Sequence, residues 1–199
     1  MENSNQFLYI KKNSISRELC NDMINLFEQE DDRYEGVVGN NSIVNKNVKD
    51  TTDFVISNGG ERWNKINKTL NKELTNNVNE YLRNCNNTMR DNEYQYLSGG
   101  LVRHLMQMQK YYKNVGKFSY HEDSKVDFIN KSDRKITFMW YLNDVTEGGE
   151  TEFWSSYNIK PEAGKLVLFP ADWTFPHTAK VPISNNKYIV TGWLCREYN

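Results

Sequence analysis

Apolar residues recur every three or four positions in two stretches of the N-terminal half, a spacing typical of amphipathic helices. The first stretch follows Ser14 and Ser16, whose hydroxyls can cap a helix. Its apolar positions are Leu19, Met23, Leu26 and Phe27. The second stretch runs from residue 62 to residue 83, and its apolar positions are Trp63, Ile66, Leu70, Leu74, Val78 and Tyr81. We expect both helices to brace a sheet with these faces, because a sheet must cover its outer face.

After residue 100 the pattern changes to short apolar runs separated by Gly, Pro, Asn and Asp. The predicted strands are Leu101–Tyr111, Ile136–Leu142, Thr151–Trp154, Leu166–Phe169 and Tyr188–Leu194. Short strands at this spacing are typical of a sandwich or barrel. Because side chains alternate along a strand, we expect the odd-numbered residues from 137 to 141 to face a pocket. The even-numbered residues from 138 to 142 should pack beneath the helices.

Two polar segments interrupt these elements. The segment Asp31–Asp53 contains Gly36, Gly39 and Asn40–Asn41 and shows no period, so it predicts either a plain surface loop or a mobile substrate lid. The Asn-rich segment Asn84–Asn87 predicts the turn between the second helix and the strands.

Length and composition indicate a single domain of 199 residues, with helical support and the possible substrate loop in residues 1–98 and the strand-rich core in residues 99–199. The net charge is −1, from 25 basic and 26 acidic residues, so nothing indicates bulk attraction to nucleic acid or to an anionic membrane. The three cysteines offer neither a disulfide framework nor a cysteine-type zinc site. No apolar run reaches the ~20 residues that span a bilayer. We therefore expect a cytoplasmic protein, and the sequence carries no signal for an oligomeric state.

Three residues can form a metal site. His121 and Asp123 are two apart, so in an extended chain they point to the same side and can meet one ion. His177 can supply the third ligand. Two histidines and one carboxylate on one face of an octahedron suit non-haem Fe(II), with the other positions open to a co-substrate and O₂.

A lysine follows the second histidine. Lys187 comes ten residues after His177 and begins a run of β-branched and aromatic residues that predicts a strand. Alternation places it on one face with Ile189, Thr191 and Trp193. A buried ammonium is costly unless it meets an anion, and the distal carboxylate of a bound ligand would satisfy it.

These residues, in this order and spacing, resemble the prolyl 4-hydroxylase-like 2-oxoglutarate/Fe(II) dioxygenases. The family pattern of His-x-Asp, a later His and a basic residue about ten positions further on is met by His121, Asp123, His177 and Lys187. The resemblance covers roughly residues 100–195. Its other segments are Gln107–Tyr111, Gly116 and Phe118, Arg134–Thr137, Tyr141–Asp144, Glu147–Thr151, Pro161–Pro170 and His177–Val181.

The resemblance implies a double-stranded β-helix, a jelly-roll or cupin-like core that is mainly β, braced by the N-terminal helices. It implies that His121, Asp123 and His177 bind iron, and that Lys187 pairs with the far carboxylate of 2-oxoglutarate. Tyr111 and Tyr141 would hydrogen-bond near that co-substrate.

The resemblance extends to further positions around the pocket. Thr191 and Trp193 match residues that line the pocket, and Arg134 and Trp193 are the candidate substrate-binding residues. The neighbouring Tyr112 leaves a second register open, although the Gln-x-x-x-Tyr spacing favours Tyr111. Phe118 stands where the family often has tyrosine, so a hydroxyl function is absent there.

The implied activity is hydroxylation of an unactivated C–H bond, with decarboxylation of 2-oxoglutarate to succinate and CO₂. The cofactors would be Fe(II), 2-oxoglutarate and O₂, with ascorbate as a candidate reductant, and no catalytic residue is needed beyond the metal ligands. The leading substrate is a prolyl residue in a peptide or protein. The alternatives are a free amino acid or small metabolite, a non-catalytic jelly-roll binding module, and a zinc hydrolase. A hydrolytic zinc site has no need of a buried dicarboxylate anchor, which argues against the last.

Overall fold

The computed structural model describes residues 5–39, 42–87, 97 and 100–198. Both predicted helices are present. Helix α1 spans Arg17–Phe27, and the Ser16 side chain caps it by accepting a hydrogen bond from the backbone N–H of Leu19 at 3.1 Å. Helix α2 spans Glu61–Asn86. Neither of these described helices is long and apolar enough to cross a bilayer.

The predicted turn at Asn84–Asn87 is wrong for its first three residues, which belong to α2. The helix continues because Cys85 is buried and extends the apolar stripe by one more turn. Only Asn87 lies beyond the helix, as its C-terminal cap. The predicted division at residues 98 and 99 lies outside the described residues, and the single-domain organisation remains a prediction.

Short and long strands make up most of the remaining chain. The first six are β1 (Tyr9–Lys11), β2 (Tyr34–Glu35), β3 (Val37–Val38), β4 (Ile43–Val44), β5 (Lys49–Asp50) and β6 (Thr52–Val55). A single 3-10 turn at Ile56–Asn58 then leads into α2. The later strands are β7 (Val102–Tyr111), β8 (Lys117–His121), β9 (Val126–Asp127), β10 (Ser132–Tyr141), β11 (Thr151–Phe153), β12 (Tyr157–Ile159), β13 (Leu166–Pro170), β14 (His177–Ala179) and β15 (Lys187–Glu197).

Two antiparallel sheets form from the described strands. The major sheet has the order β1-β13-β10-β15-β7-β6-β2, with β9 paired to the start of β10, and the minor sheet has the order β12-β11-β14-β8-β5. Strands β3 and β4 form a separate hairpin. The predicted fold, a mainly β jelly roll braced by N-terminal helices, is confirmed.

Alternation along the major sheet divides its side chains between two cores. Phe138, Trp140 and Leu142 pack with the apolar faces of α1 and α2 in the helix-side core. Met139 and Tyr141 point the other way, into the inner core that joins the two sheets. The inner core consists of Tyr111, Met139, Tyr141, Phe153, Ile159, Val167, Phe169, Phe175, Ala179 and Ile189. The predicted alternation in this strand is therefore confirmed.

The segment Asp31–Asp53 is not a plain surface loop, because it contains short paired strands, and its role as a mobile substrate lid remains a prediction. It contributes β2 to the major sheet, β5 to the minor sheet and the β3–β4 hairpin between them. These strands are two residues long, too short to show an alternating pattern, and β5 is held by its pairing with β8, about 70 residues further along the chain. Residues 40 and 41 lie outside the described part.

The buried stripe of α2 predicts a large stability cost on truncation. Leu70 is fully buried in the helix-side core, so Leu70→Ala should lower the free energy of unfolding by roughly 2–5 kcal/mol through lost burial and a residual cavity. Urea denaturation measures this loss. Lys68→Ala, at an exposed position of the same helix, should change stability by less than about 0.5 kcal/mol. Similar losses in both variants would contradict the packing of this face.

Candidate active site

The pairing of β8 with β14 brings the two histidines together. His121 and His177 are direct partners across these strands, and their ring centroids are 4.3 Å apart. Asp123 follows β8 by two residues and lies beside both rings. One ligand atom from each of the three residues falls within 4.8 Å of the others. Among the residues that the structure describes, this is the one group of histidine, cysteine or acidic side chains close enough together to hold a metal ion.

Backbone carbonyls fix the orientation of both imidazoles. The Nδ1 of His121 lies 2.8 Å from the carbonyl of Ser119, and the Nδ1 of His177 lies 3.0 Å from the carbonyl of Phe175. A carbonyl oxygen only accepts, so Nδ1 carries the proton in each ring and Nε2 keeps its lone pair. Both Nε2 atoms face the Asp123 carboxylate, at 3.8 Å and 3.7 Å. This is the tautomer that a metal ligand requires.

The Asp123 carboxylate is buried but well supported. Burial opposes its charge, yet the nearby His177 and His121 and a hydrogen bond from Thr137 hold the pKa of Asp123 below its ordinary value. Thr137 donates this bond from Oγ1 to Oδ2 at 2.7 Å. Burial, reinforced by His177, lowers the pKa of His121. At neutral pH the site therefore presents a charged carboxylate to a neutral His121 imidazole.

Lys187 is buried, as its position at the start of a strand predicts. It is 1% exposed, and its ammonium lies 4.1 Å from the centre of the Tyr111 ring and donates to the carbonyl of Gly149 at 3.0 Å. Burial lowers the pKa of Lys187 to about 7, against the opposing field of Glu150.

A comparison with the other buried lysines shows what Lys187 lacks. Lys49, Lys110 and Lys165 each reach a carboxylate oxygen, at 2.6 Å, 2.8 Å and 2.7 Å. Across the described part of the chain, no carboxylate forms a salt bridge with Lys187. Its ammonium is thus buried between the Tyr111 ring and the Gly149 carbonyl without a salt-bridge partner, which is costly unless an anion binds.

Tyr111, Tyr141 and Thr191 lie on the face of the major sheet that is turned toward the inner core. Tyr111 is buried and donates from its hydroxyl to Gln109 at 2.9 Å, whereas the neighbouring Tyr112 is exposed. Tyr141 donates to the hydroxyl of Thr151 at 2.6 Å. Thr191 donates to the carbonyl of Phe138 at 2.9 Å. The structure therefore places Tyr111, rather than Tyr112, beside Lys187.

Arg134 and Trp193 form one unit next to the three metal-type ligands. The guanidinium carbon of Arg134 lies 3.4 Å from the centre of the Trp193 ring, and Arg134 also donates to the backbone carbonyl of Asp123 at 3.3 Å. The Trp193 Nε1 is buried and has no hydrogen-bond partner. Register shifts lie beside both residues, between Arg134 and Ile136 and between Gly192 and Leu194. Such bulges re-aim side chains near active sites.

The sequence does not predict the contacts of three supporting residues. Thr137 was expected to face the pocket, but its bond to Asp123 was not expected. Lys49 and Asp53 form a buried ion pair near the site, in the segment interpreted as loop or lid. One signal was available, because Lys49, Thr51 and Asp53 are spaced by two and fall on one face of an extended chain.

Comparison with known families assigns this architecture. Residues 106–195 match the model of the 2OG-Fe(II) oxygenase superfamily, a range that contains His121, Asp123, His177 and Lys187. The predicted resemblance to the prolyl 4-hydroxylase-like dioxygenases, and with it the prediction of an enzyme of this class, is confirmed. No curated protein sequence matches the chain significantly.

Solved structures with the same fold include several prolyl hydroxylases. A viral collagen prolyl hydroxylase from Paramecium Bursaria Chlorella virus-1, solved with 2-oxoglutarate (2OG), is 16% identical with a TM-score of 0.65, over 98% of this chain and 99% of that one. A Pseudomonas putida prolyl-4-hydroxylase is 16% identical with a TM-score of 0.69, over 97% and 95%. A Trichoplax adhaerens prolyl hydroxylase, in complex with a hypoxia inducible factor peptide fragment, is 19% identical with a TM-score of 0.70, over 96% and 84%. At these identities the likeness establishes the fold.

The buried ammonium predicts a specific dependence of stability on pH. Lys187 loses its proton near pH 7 in the folded protein but keeps it up to its ordinary pKa of 10.5 in the unfolded chain. Between these values the unfolded state binds more protons, so the free energy of unfolding should rise with pH. Relative to Lys187→Met, the wild-type protein should gain about 1 kcal/mol per pH unit above about pH 7.5. Urea denaturation at several pH values measures both curves, and parallel curves would show that Lys187 keeps its ordinary pKa.

Proposed function

We propose that this protein is an Fe(II)/2-oxoglutarate-dependent hydroxylase that acts on a prolyl residue in a peptide or protein. The observation that carries the proposal is the combination of two features in one interior. The first is the oriented set of His121, Asp123 and His177 on and beside strands β8 and β14. The second is the buried Lys187, which forms no salt bridge, at the start of β15. Neither feature contributes to folding stability by itself, because each buries charge.

The donor set fits a divalent iron. His121 and His177 present Nε2 lone pairs, Asp123 presents an anionic oxygen, and the mixed nitrogen and oxygen set with open positions is the one that Fe(II) oxygenases use. When bound, Fe(II) with 2-oxoglutarate and O₂ supplies the oxidising chemistry that hydroxylates a C–H bond while 2-oxoglutarate becomes succinate and CO₂. Thr137 and the two backbone carbonyls keep the ligands oriented, which removes the entropic cost of assembling them.

Lys187 is the proposed anchor for the distal carboxylate of 2-oxoglutarate. An anion at this point would restore the charge balance that Lys49, Lys110 and Lys165 already have. It would also stabilise the protonated form of Lys187, because burial alone lowers the pKa of this lysine. Tyr111, Tyr141 and Thr191 are proposed to complete the co-substrate pocket with their hydroxyls and rings.

Arg134 and Trp193 are the proposed contacts for the substrate. The Trp193 Nε1 is a buried donor without a partner, and Arg134 uses few of its five N–H groups within the described residues. Backbone carbonyls of an extended peptide would satisfy these donors. One solved structure with this fold holds a hypoxia inducible factor peptide fragment, which supports a peptide over a free amino acid. Ascorbate enters the proposal only as a reductant.

Anaerobic titration of the Fe(II)-loaded protein with 2-oxoglutarate tests the site. Chelation should produce a weak visible charge-transfer band at ~500 nm. Asp123→Ala should abolish metal binding and the band together, because it removes an anionic ligand. Lys187→Ala should leave metal affinity nearly intact and raise the 2-oxoglutarate concentration needed for half of the band.

The control is Lys110→Ala, which removes a lysine of similar burial that is already paired with Glu28. It should leave the band and its concentration dependence unchanged. Equal loss of metal in the Asp123 and Lys187 variants would contradict the proposed division of roles. No band in iron-loaded wild-type protein would sink the proposed function and favour a non-catalytic binding module.

Substrate class is tested by turnover on proline-containing peptides and on free amino acids, with the gain of one oxygen atom detected by mass spectrometry. Arg134→Gln should lower kcat/KM for the peptide by roughly 10- to 100-fold, the range expected for a lost hydrogen bond from a charged group. Its affinity for 2-oxoglutarate should stay unchanged. Lys135→Gln, on the opposite face of the same strand, is the matched control. Hydroxylation of free amino acids alone, insensitive to Arg134→Gln, would overturn the peptide assignment.

A further inference from the structure

A buried ion pair connects the two sheets close to the active site. Strand β5 lies in the minor sheet and β6 in the major sheet, and only Thr51 separates them. Lys49 and Asp53, at the two ends of this crossing, meet at 2.6 Å and are each no more than 3% exposed. Thr51 donates to the second carboxylate oxygen of Asp53 at 2.7 Å. Gly36 packs so closely here that an added Cβ would lie 2.1 Å from the Thr51 hydroxyl.

The lysine end of this pair leads to the metal ligands. Lys49 is the direct cross-strand partner of Phe118, so the two side chains lie on one face, and its ammonium is 5.5 Å from the centre of the Phe118 ring. Phe118 in turn stacks on His121, with ring centroids 3.6 Å apart and an interplanar angle of 15°. Two contacts therefore connect Lys49 with the first metal ligand.

The aspartate end leads to the co-substrate anchor. Asp53 is the direct cross-strand partner of Gln109, and Gln109 accepts the hydrogen bond from the Tyr111 hydroxyl at 2.9 Å. The Tyr111 ring lies 4.1 Å from the Lys187 ammonium. The ion pair is thus connected to His121 through Phe118, and to Lys187 through Gln109 and Tyr111.

The energetics of the pair favour a positioning role over a stabilising one. A buried ion pair is rarely more stable than apolar side chains of the same size, because both charges lose their hydration. Burial raises the pKa of Asp53 in spite of the nearby Lys49, which shows the cost of the site. Its benefit is geometric, since a short charged contact allows less variation in distance than an apolar one.

We propose that the Lys49–Asp53 pair sets the span between the metal ligands and Lys187 and so selects the length of the 2-oxo dicarboxylate. This inference rests on the proposed function, in which one ligand reaches from the metal to Lys187. Such a ligand must match the span, and one methylene more or less should be rejected. Lys49 and Asp53 are positioning residues that act through Phe118 and Gln109.

The test compares the binding of oxaloacetate, 2-oxoglutarate and 2-oxoadipate, measured by calorimetry on anaerobic Fe(II)-loaded protein. The wild-type protein should prefer 2-oxoglutarate by roughly 10- to 200-fold, the usual discrimination for one methylene. The double variant Lys49→Met with Asp53→Leu replaces the pair by apolar side chains. It should keep the wild-type Tm within a few degrees, bind 2-oxoglutarate about 10-fold more weakly, and lose most of its preference over 2-oxoadipate.

Lys110→Met is the control, because it removes the charge of another buried, paired lysine, on the helix side of β7. It should keep the wild-type preference. A folded double variant with unchanged preference would overturn this inference and leave the proposed function intact. Failure of the wild-type protein to bind any of the three acids would instead overturn the proposed function.

Thr51→Val decides the question if the double variant does not fold. It removes only the hydrogen bond that holds the second oxygen of Asp53. A reduced preference for 2-oxoglutarate, by about 3-fold or more for a lost hydrogen bond, is expected with little change in Tm. An unchanged preference in this folded variant would show that the pair serves the fold alone.

Discussion

The burial of both faces of the major sheet is the constraint on which the rest of the structure depends. Strands β10, β13 and β15 carry buried apolar residues at even and odd positions alike, so each face of the sheet needs a cover. The helices cover one face and the minor sheet covers the other. Because α1 and α2 seal the first face, the interior between the sheets is the space left for chemistry. Polar residues in that interior are then exceptions that need a partner or a ligand.

The fold was predictable to the extent that its segments are long. The α2 stripe and the runs in β10 and β15 repeat their pattern often enough for the period to show. Strands β5, β6 and β14 have two to four residues, and such segments cannot show a period. They form by pairing with neighbours from other parts of the chain: β6 with the long β7, and β5 and β14 with β8. Tertiary pairing, rather than local sequence, therefore decides the structure of residues 31–53.

The candidate site was predictable where a motif fixes the spacing along the chain. His121 and Asp123 are neighbours in sequence, and His177 and Lys187 follow at a family spacing. The supporting contacts are different. Alternation predicts that Thr137 faces the pocket, but its bond to Asp123 and the pairing of Gln109 with Asp53 and of Phe118 with Lys49 depend on how distant segments meet, so no local pattern identifies these contacts. The stack of Arg134 on Trp193 likewise depends on two bulges that only the paired strands reveal.

The way in which each buried charge is balanced separates structural from functional groups. Lys49 has Asp53, Lys110 has Glu28, and Lys165 has Glu162, so these charges are satisfied within the fold. Asp123 accepts a hydrogen bond from Thr137 and lies with His121 and His177 in a group whose ligand atoms are within 4.8 Å of one another. Lys187, among the lysines that the structure describes as buried, contacts the Gly149 carbonyl and the Tyr111 ring and forms no salt bridge. A protein that needed Lys187 for stability alone would do better with an apolar side chain of the same size. The charge at this position is therefore best explained by an anion that binds from outside.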